Sequence, residues 1–244
     1  MPAARADILQ RLQKEILPLQ GFKHLPTDIA VDFGLGLVNE AFPNQSFPLS
    51  AMHEFMCESR EYATAASGFV ACLTGTLMKR SGASVWISKK RSIFPPALAT
   101  FGISPDQMIF ITTQTEKETA WVMEEALKCE GIAAVIAELA ELSFIASRRL
   151  QLAVEQSRVT GFIIRNQPRS IGINACVARW MIKPLLSETG NQLPGIGFPR
   201  WNVELLKIRN GRPGSWQLEW KDGRFESISS TKNLLTEYHK RKVG

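Results

Sequence analysis

A chain of 244 residues with 45% hydrophobic content has enough apolar material for one substantial core, which predicts a single domain with terminal additions. The formal charge of +6 is unevenly spread: from Arg200 onward ten Lys/Arg stand against five acids, so the preceding 199 residues carry a net of only +1. That excludes a uniformly basic, nucleic-acid-binding body, and leaves the basic C-terminal end as either a solvated tail or a weak DNA contact.

Other classes fall away on patterning. The longest apolar stretch, residues 131–146, is interrupted by Glu138 and Glu141 and is too short and too charged to span a bilayer. Residues 1–20 have no uninterrupted apolar region of the kind a signal peptide needs, so a cytoplasmic protein with no membrane contact is expected. Cys57, Cys72, Cys129 and Cys176 are widely spaced, without a CxxC pair or clustered histidines. They predict no zinc site and no disulfide framework, and are expected to be buried small apolar residues.

In chain order, Ile8, Leu12 and Ile16 recur at i, i+4 and i+8 within residues 5–19 and predict an amphipathic helix, ended near Pro18 and Gly21. It fits the core or a neighbouring subunit. A loop rich in Pro and Gly covers residues 24–48. Helical periodicity returns over 62–79, where Ala63, Ala65, Ala66, Ser67 and Gly68 suit close packing on a sheet. Residues 83–88 read as a buried strand, and the alternation repeats: strand 108–112, helix 116–129, strand 133–137, helix 147–156, strand 161–165. Strands apolar throughout, separated by helices, predict a mostly parallel sheet covered on both faces. Residues 178–182 are apolar again, and 201–208 and 215–220 flank the turn-rich segment 209–214, which predicts an antiparallel C-terminal hairpin. The expected organisation is an N-terminal helix (1–22), an α/β core with its hairpin (23–228) and a basic tail (229–244). Within that tail Leu234, Leu235 and Tyr238 suit a short helix that docks on a partner or frays.

In such folds phosphates bind where a strand feeds a helix, because backbone amides and the helix dipole favour an anion there. A working loop reads G-x-x-x-x-G-K-[ST]. Aligned without gaps on the first strand-to-helix junction, residues 52–64, the glycines fall on Cys57 and Tyr62 and the lysine on Ala63. Only the hydroxyl position survives, as Thr64. The missing lysine removes a charge worth several kcal/mol in a partly desolvated phosphate site. Arg60 is a conceivable replacement, but its place before the helix points it to solvent.

It is at this junction that the chain resembles the RecA-like superfamily, and within it the ImuA family of bacterial SOS-mutagenesis proteins and the related SulA-type division inhibitors. The resemblance covers about residues 34–220. It is carried by Phe47-Pro48-Leu49 leading into His53-Glu54-Phe55, and by Phe94-Pro95-Pro96-Ala97-Leu98 followed by Phe101-Gly102-Ile103. Glu124-Glu125-Ala126-Leu127, the run from Ser147 to Ala153, and Trp201-Asn202-Val203-Glu204-Leu205-Leu206-Lys207 complete it.

The resemblance implies a RecA-like sheet in which Glu138, after strand 133–137, stands where ATPases carry a Mg²⁺-serving carboxylate. Where they carry a water-activating glutamate, this chain reads Ser88-Lys89-Lys90-Arg91, and lysine is no base at neutral pH unless its pKa is strongly lowered. Asn166-Gln167 matches a γ-phosphate sensor pair, or equally a strand-end turn. The connections that grip DNA in RecA-type proteins are here short: 139–145 is apolar, and 168–175 holds only Arg169 as a cation.

Two further features have bland readings. His53 reads as structural rather than catalytic. Of Arg148 and Arg149, one is expected to pair with Glu138 or Glu141 and the other to be solvated, although an interface arginine would suit a partner-binding protein. The expectation is thus a non-enzymatic, cofactor-free accessory to error-prone translesion synthesis. The family resemblance implies an inactive Y-family polymerase homologue (ImuB) as partner and, through it, a C-family error-prone polymerase and the sliding clamp, with self-association or RecA contact also open. A SulA-like inhibitor of FtsZ is the alternative, against which the extra length after Trp201 argues.

Overall fold

Nine strands form one sheet in the computed structural model, which describes residues 31–80, 82–187 and 197–228. All its elements belong to the unit that begins at Phe33. The predicted N-terminal helix with Ile8, Leu12 and Ile16, and the tail with Leu234, Leu235 and Tyr238, lie outside the described residues.

The strands are β1 (Met52–Cys57), β2 (Ser84–Ser88), β3 (Met108–Thr112), β4 (Ala134–Leu139), β5 (Thr160–Asn166), β6 (Ala178–Leu185), β7 (Arg200–Ile208), β8 (Gly214–Lys221) and β9 (Arg224–Ser227). Their order is β3-β2-β4-β5-β1-β6-β7-β8-β9. The first six in that order are parallel, and β6 to β9 continue antiparallel. The expected parallel sheet with an antiparallel extension is therefore present. The extension is one strand longer than the predicted hairpin: Asp222 and Gly223, both at positive φ, turn the chain tightly into β9.

Three helices cover both faces, as the all-apolar strands require. Helix α1 (Arg60–Met78) lies on one face, where its Phe69 meets Phe55, Trp180, Trp201 and Phe225. Helices α2 (Glu116–Leu127) and α3 (Phe144–Ser157) cover the other, where Met123, Leu127, Leu150 and Val154 pack on Met52, Val85, Val135 and Ile163. Close packing of α1 depends on a residue further along than the predicted small-residue run: a Cβ at Gly75 would collide with the Phe101 carbonyl oxygen. No helix among the described residues is long and apolar enough to cross a membrane.

Among the residues that carry the resemblance, Phe47, Pro48 and His53 are explained by packing. Phe47 stacks on His53 with ring centroids 4.4 Å apart, and His53 Nε2 donates to the Pro48 carbonyl at 2.7 Å while Nδ1 accepts from the Trp180 indole at 3.3 Å. Burial holds this imidazole neutral, lowering its pKa to about 4 against the Pro48 hydrogen bond that raises it. The structural reading of His53 is the right one. Three of the four cysteines are buried as expected. Cys129 is exposed, because α2 ends at Leu127 rather than running on through it.

Candidate functional site: a closed junction and two fastened loops

Strand β1 ends at Cys57 and α1 begins at Arg60, so only Glu58 and Ser59 link them. That corrects the ungapped loop alignment. Cys57 is the last strand residue, and Tyr62, Ala63 and Thr64 are already helical, so the segment that would wrap a phosphate has no length. The helix start satisfies itself: Ser59 caps it by accepting from the Tyr62 amide at 3.3 Å, and the Ala63 amide donates to the Ser59 carbonyl at 3.0 Å. The Thr64 hydroxyl donates back to the Arg60 carbonyl at 3.0 Å. Glu58 and Glu61 flank this N-terminus and oppose an added anion, while Arg60 is exposed as expected.

Strand alternation brings Cys57, Glu138, Asn166 and Trp86 together on the α1 face of the sheet. Glu138 and Asn166 are strand residues and not post-strand ones, since β4 runs to Leu139 and β5 to Asn166. The Glu138 carboxylate is occupied by the chain itself. One oxygen accepts from the Trp86 indole at 2.9 Å and from the Ser92 hydroxyl, and the other from the Asn166 amide at 3.4 Å. Its charge adds to burial in pushing the Cys57 thiol up to about 12, which keeps it protonated and inert. Gln167 sits at positive φ and donates its amide to the Cys57 carbonyl at 2.7 Å, closing the strand ends as a turn. Lys89 is an ion-pair partner of Glu116 at 3.0 Å. Among the described residues no group of three or more His, Cys, Asp or Glu is arranged to hold a metal ion.

The opposite face carries a charge cluster that sequence reasoning did not single out. Glu54, fully buried on β1, accepts from Arg165 Nη1 at 2.8 Å and from Arg179 Nε at 2.6 Å. Burial works to raise the Glu54 pKa, but the neighbouring Asn174, Arg165 and Arg179 outweigh it and hold the carboxyl below its usual range. Arg165, only 1% exposed, also donates to the Ala140 carbonyl at 3.1 Å, the Ser170 carbonyl at 3.1 Å and Glu141 at 3.3 Å. Arg179 Nη2 donates to the Gly172 carbonyl at 2.8 Å.

Every one of those carbonyls belongs to the two connections expected to be too short and too poor in cations to grip DNA, and both are fastened. Glu116 accepts from the Ala140 amide at 3.2 Å and the Glu141 amide at 3.1 Å, and Glu141 in turn accepts from the Arg169 amide at 2.8 Å. Ser147 Oγ accepts from the Ala175 amide at 2.9 Å, tying the second connection to α3. The pairing expected for Arg148 and Arg149 is corrected: α3 begins at Phe144, which places them in its second turn, where Arg149 meets Glu124 of α2 at 2.8 Å. Glu138 is occupied by Trp86, Ser92 and Asn166, and Glu141 by Arg165 and the Arg169 amide.

The basic C-terminal region is also largely spoken for where it is described. Arg200 pairs with Glu219 at 2.6 Å, Arg224 with Glu226 at 2.9 Å, and Lys207 and Arg209 donate to the carbonyls of Asn174 and Ala175.

No family model matches the chain. Two curated relatives do, both described as Protein ImuA, from Caulobacter vibrioides strains NA1000 / CB15N and ATCC 19089 / CIP 103742 / CB 15. Each is 34% identical over 206 residues, which cover 80% of this chain and 84% of the relative. Identity of that extent means that the chain belongs to the ImuA family.

Proposed function

We propose that the protein is a non-catalytic scaffold in damage-induced, error-prone translesion synthesis in bacteria. The observation that supports it most is the Glu138 carboxylate, which is hydrogen-bonded by Trp86, Ser92 and Asn166 beside a strand-to-helix link of two residues. A phosphoryl-transfer site needs amides free to receive phosphates and a carboxylate free to hold Mg²⁺, and both are here bound by the chain itself. The fastened connections 140–143 and 167–177 likewise suit a fixed binding surface better than loops that must fold around a strand of DNA. Within this reading the partner is an inactive Y-family polymerase homologue, through which a C-family polymerase and the sliding clamp are reached.

A complementation assay tests it. In cells lacking the gene, damage-induced mutation frequency is expected to return to the full level with the wild-type chain and with a T64A/E138Q chain. Complementation that fails only for T64A/E138Q, with both chains expressed at equal level, would show instead that residual nucleotide chemistry is needed.

A further inference from the structure

The two fastened connections present an apolar ridge. Phe144 and Ile145 open α3 with 55% and 74% of their surfaces exposed, and Ile171 and Ile173 of the second connection are 63% and 84% exposed. The connections run side by side because they are tied at both ends: Glu141 to Arg169 and to Arg165, which also holds Ser170, then Ser147 to Ala175. All four side chains lie between those ties. Four large apolar groups held open to water on rigid backbone mark a contact surface, since such exposure is costly when nothing covers it.

The charge around the ridge selects the occupant. Arg148 and Arg169 are exposed beside it, and neither side chain makes an ion pair among the described residues. Glu141 is neutralised by Arg165, so the rim is cationic. The chain's own terminal segments do not complement it: residues 229–244 carry Lys232, Lys240, Arg241 and Lys242 against Glu237 alone, residues 1–30 hold four Lys/Arg against three acids, and the short internal segment 188–196 has Glu188 as its one charge, short of a carboxylate for each arginine. A second copy in a two-fold contact would set cation against cation. Single-stranded DNA would find two free arginines and one aromatic ring, short of the several phosphate contacts and stacking platforms it requires.

We infer that the Phe144, Ile145, Ile171 and Ile173 ridge is a docking surface for an apolar protein segment flanked by carboxylates. The inference rests on the scaffold reading above and names the place where that scaffold receives its partner. Apolar anchors supply the affinity, and Arg148 and Arg169 orient the segment.

The test is binding of the purified inactive Y-family homologue to four full-length chains: wild type, I145D/I173D, R148E/R169E and L37D. Leu37, exposed at 59% in the segment that packs on β8 and β9, is an apolar control several strands away from the ridge. All substituted side chains are exposed, and unchanged thermal melts establish that each variant folds. Binding is expected to weaken by about tenfold or more in I145D/I173D, to weaken and lose its salt dependence in R148E/R169E, and to be unchanged in L37D. Wild-type affinity in the two ridge variants would overturn the docking surface and leave the scaffold reading standing. Loss of the complex on addition of excess oligo-dT, with the ridge variants failing to bind that DNA, would overturn it in favour of nucleic acid. No complex with the wild-type chain at all would overturn the partner reading itself, and the docking surface with it.

Discussion

Arg165 Nη1 stands 2.8 Å from Glu54 Oε1, and through this buried contact the central strand β1 holds both connections that follow β4 and β5. Glu54 takes a second arginine, the partly exposed Arg179, at 2.6 Å, so one fully buried carboxylate faces two guanidinium groups.

Removing that carboxylate leaves Arg179 without an ion pair among the described residues and buried Arg165 with only the more exposed Glu141, and E54A is expected to lower stability by about 3 to 5 kcal/mol. Denaturant unfolding followed by tryptophan fluorescence measures it. R149A, which breaks an exposed ion pair with Glu124, is expected to cost less than ~1 kcal/mol on the same assay. Equal losses in the two variants would contradict the role given to the buried cluster.

Acidification should destabilise the fold in two overlapping steps. The folded pKa of His53, about 4, lies below its unfolded value near 6.5, so its contribution is complete above pH ~6.5 and is lost as pH falls towards 4. For a depression of that size the loss is about 3 kcal/mol. Glu54 is also depressed, so its contribution disappears on further acidification through the carboxylate range. Stability measured against pH should therefore decline below pH ~6.5 in the wild type and stay flatter between 6.5 and 4 in H53Q.

Thiol chemistry gives an independent check on the closed junction. Cys57, Cys72 and Cys176 are buried, and burial pushes all three pKa values up, to about 12 for Cys57 and Cys176. Cys129 is exposed. A disulfide reagent should label one thiol rapidly in the native protein and the other three only on unfolding, and C129S should abolish the rapid phase.

Much of this architecture is legible in the sequence because parallel strands buried on both faces are apolar without a break, and the intervening helices are long enough to show their period. The α/β class and the antiparallel extension follow from that. What escaped were features set by long-range pairing. Glu54 and Arg165 are single charges inside apolar strands and look like exceptions until the β1 and β5 registers align Glu54 with Ile163 and place Arg165 one step beyond Ile164. The signal was present: a charge at an inward position of a buried strand requires a partner. The Arg148 and Arg149 pairing is hidden in the sequence because the first turn of α3 reads as loop, although Ser143 is an N-cap whose hydroxyl accepts from the Ala146 amide. The length of the β1 to α1 link was hidden for the same reason. Ser59 caps a helix that begins before the positions at which a phosphate loop would end.

Isothermal titration of the full-length chain with Mg-ATP tests most directly whether this α/β frame works without a nucleotide. The closed junction and the engaged Glu138 carboxylate predict no heat of binding up to millimolar nucleotide. Micromolar binding that disappears in T64A/E138Q would contradict the account.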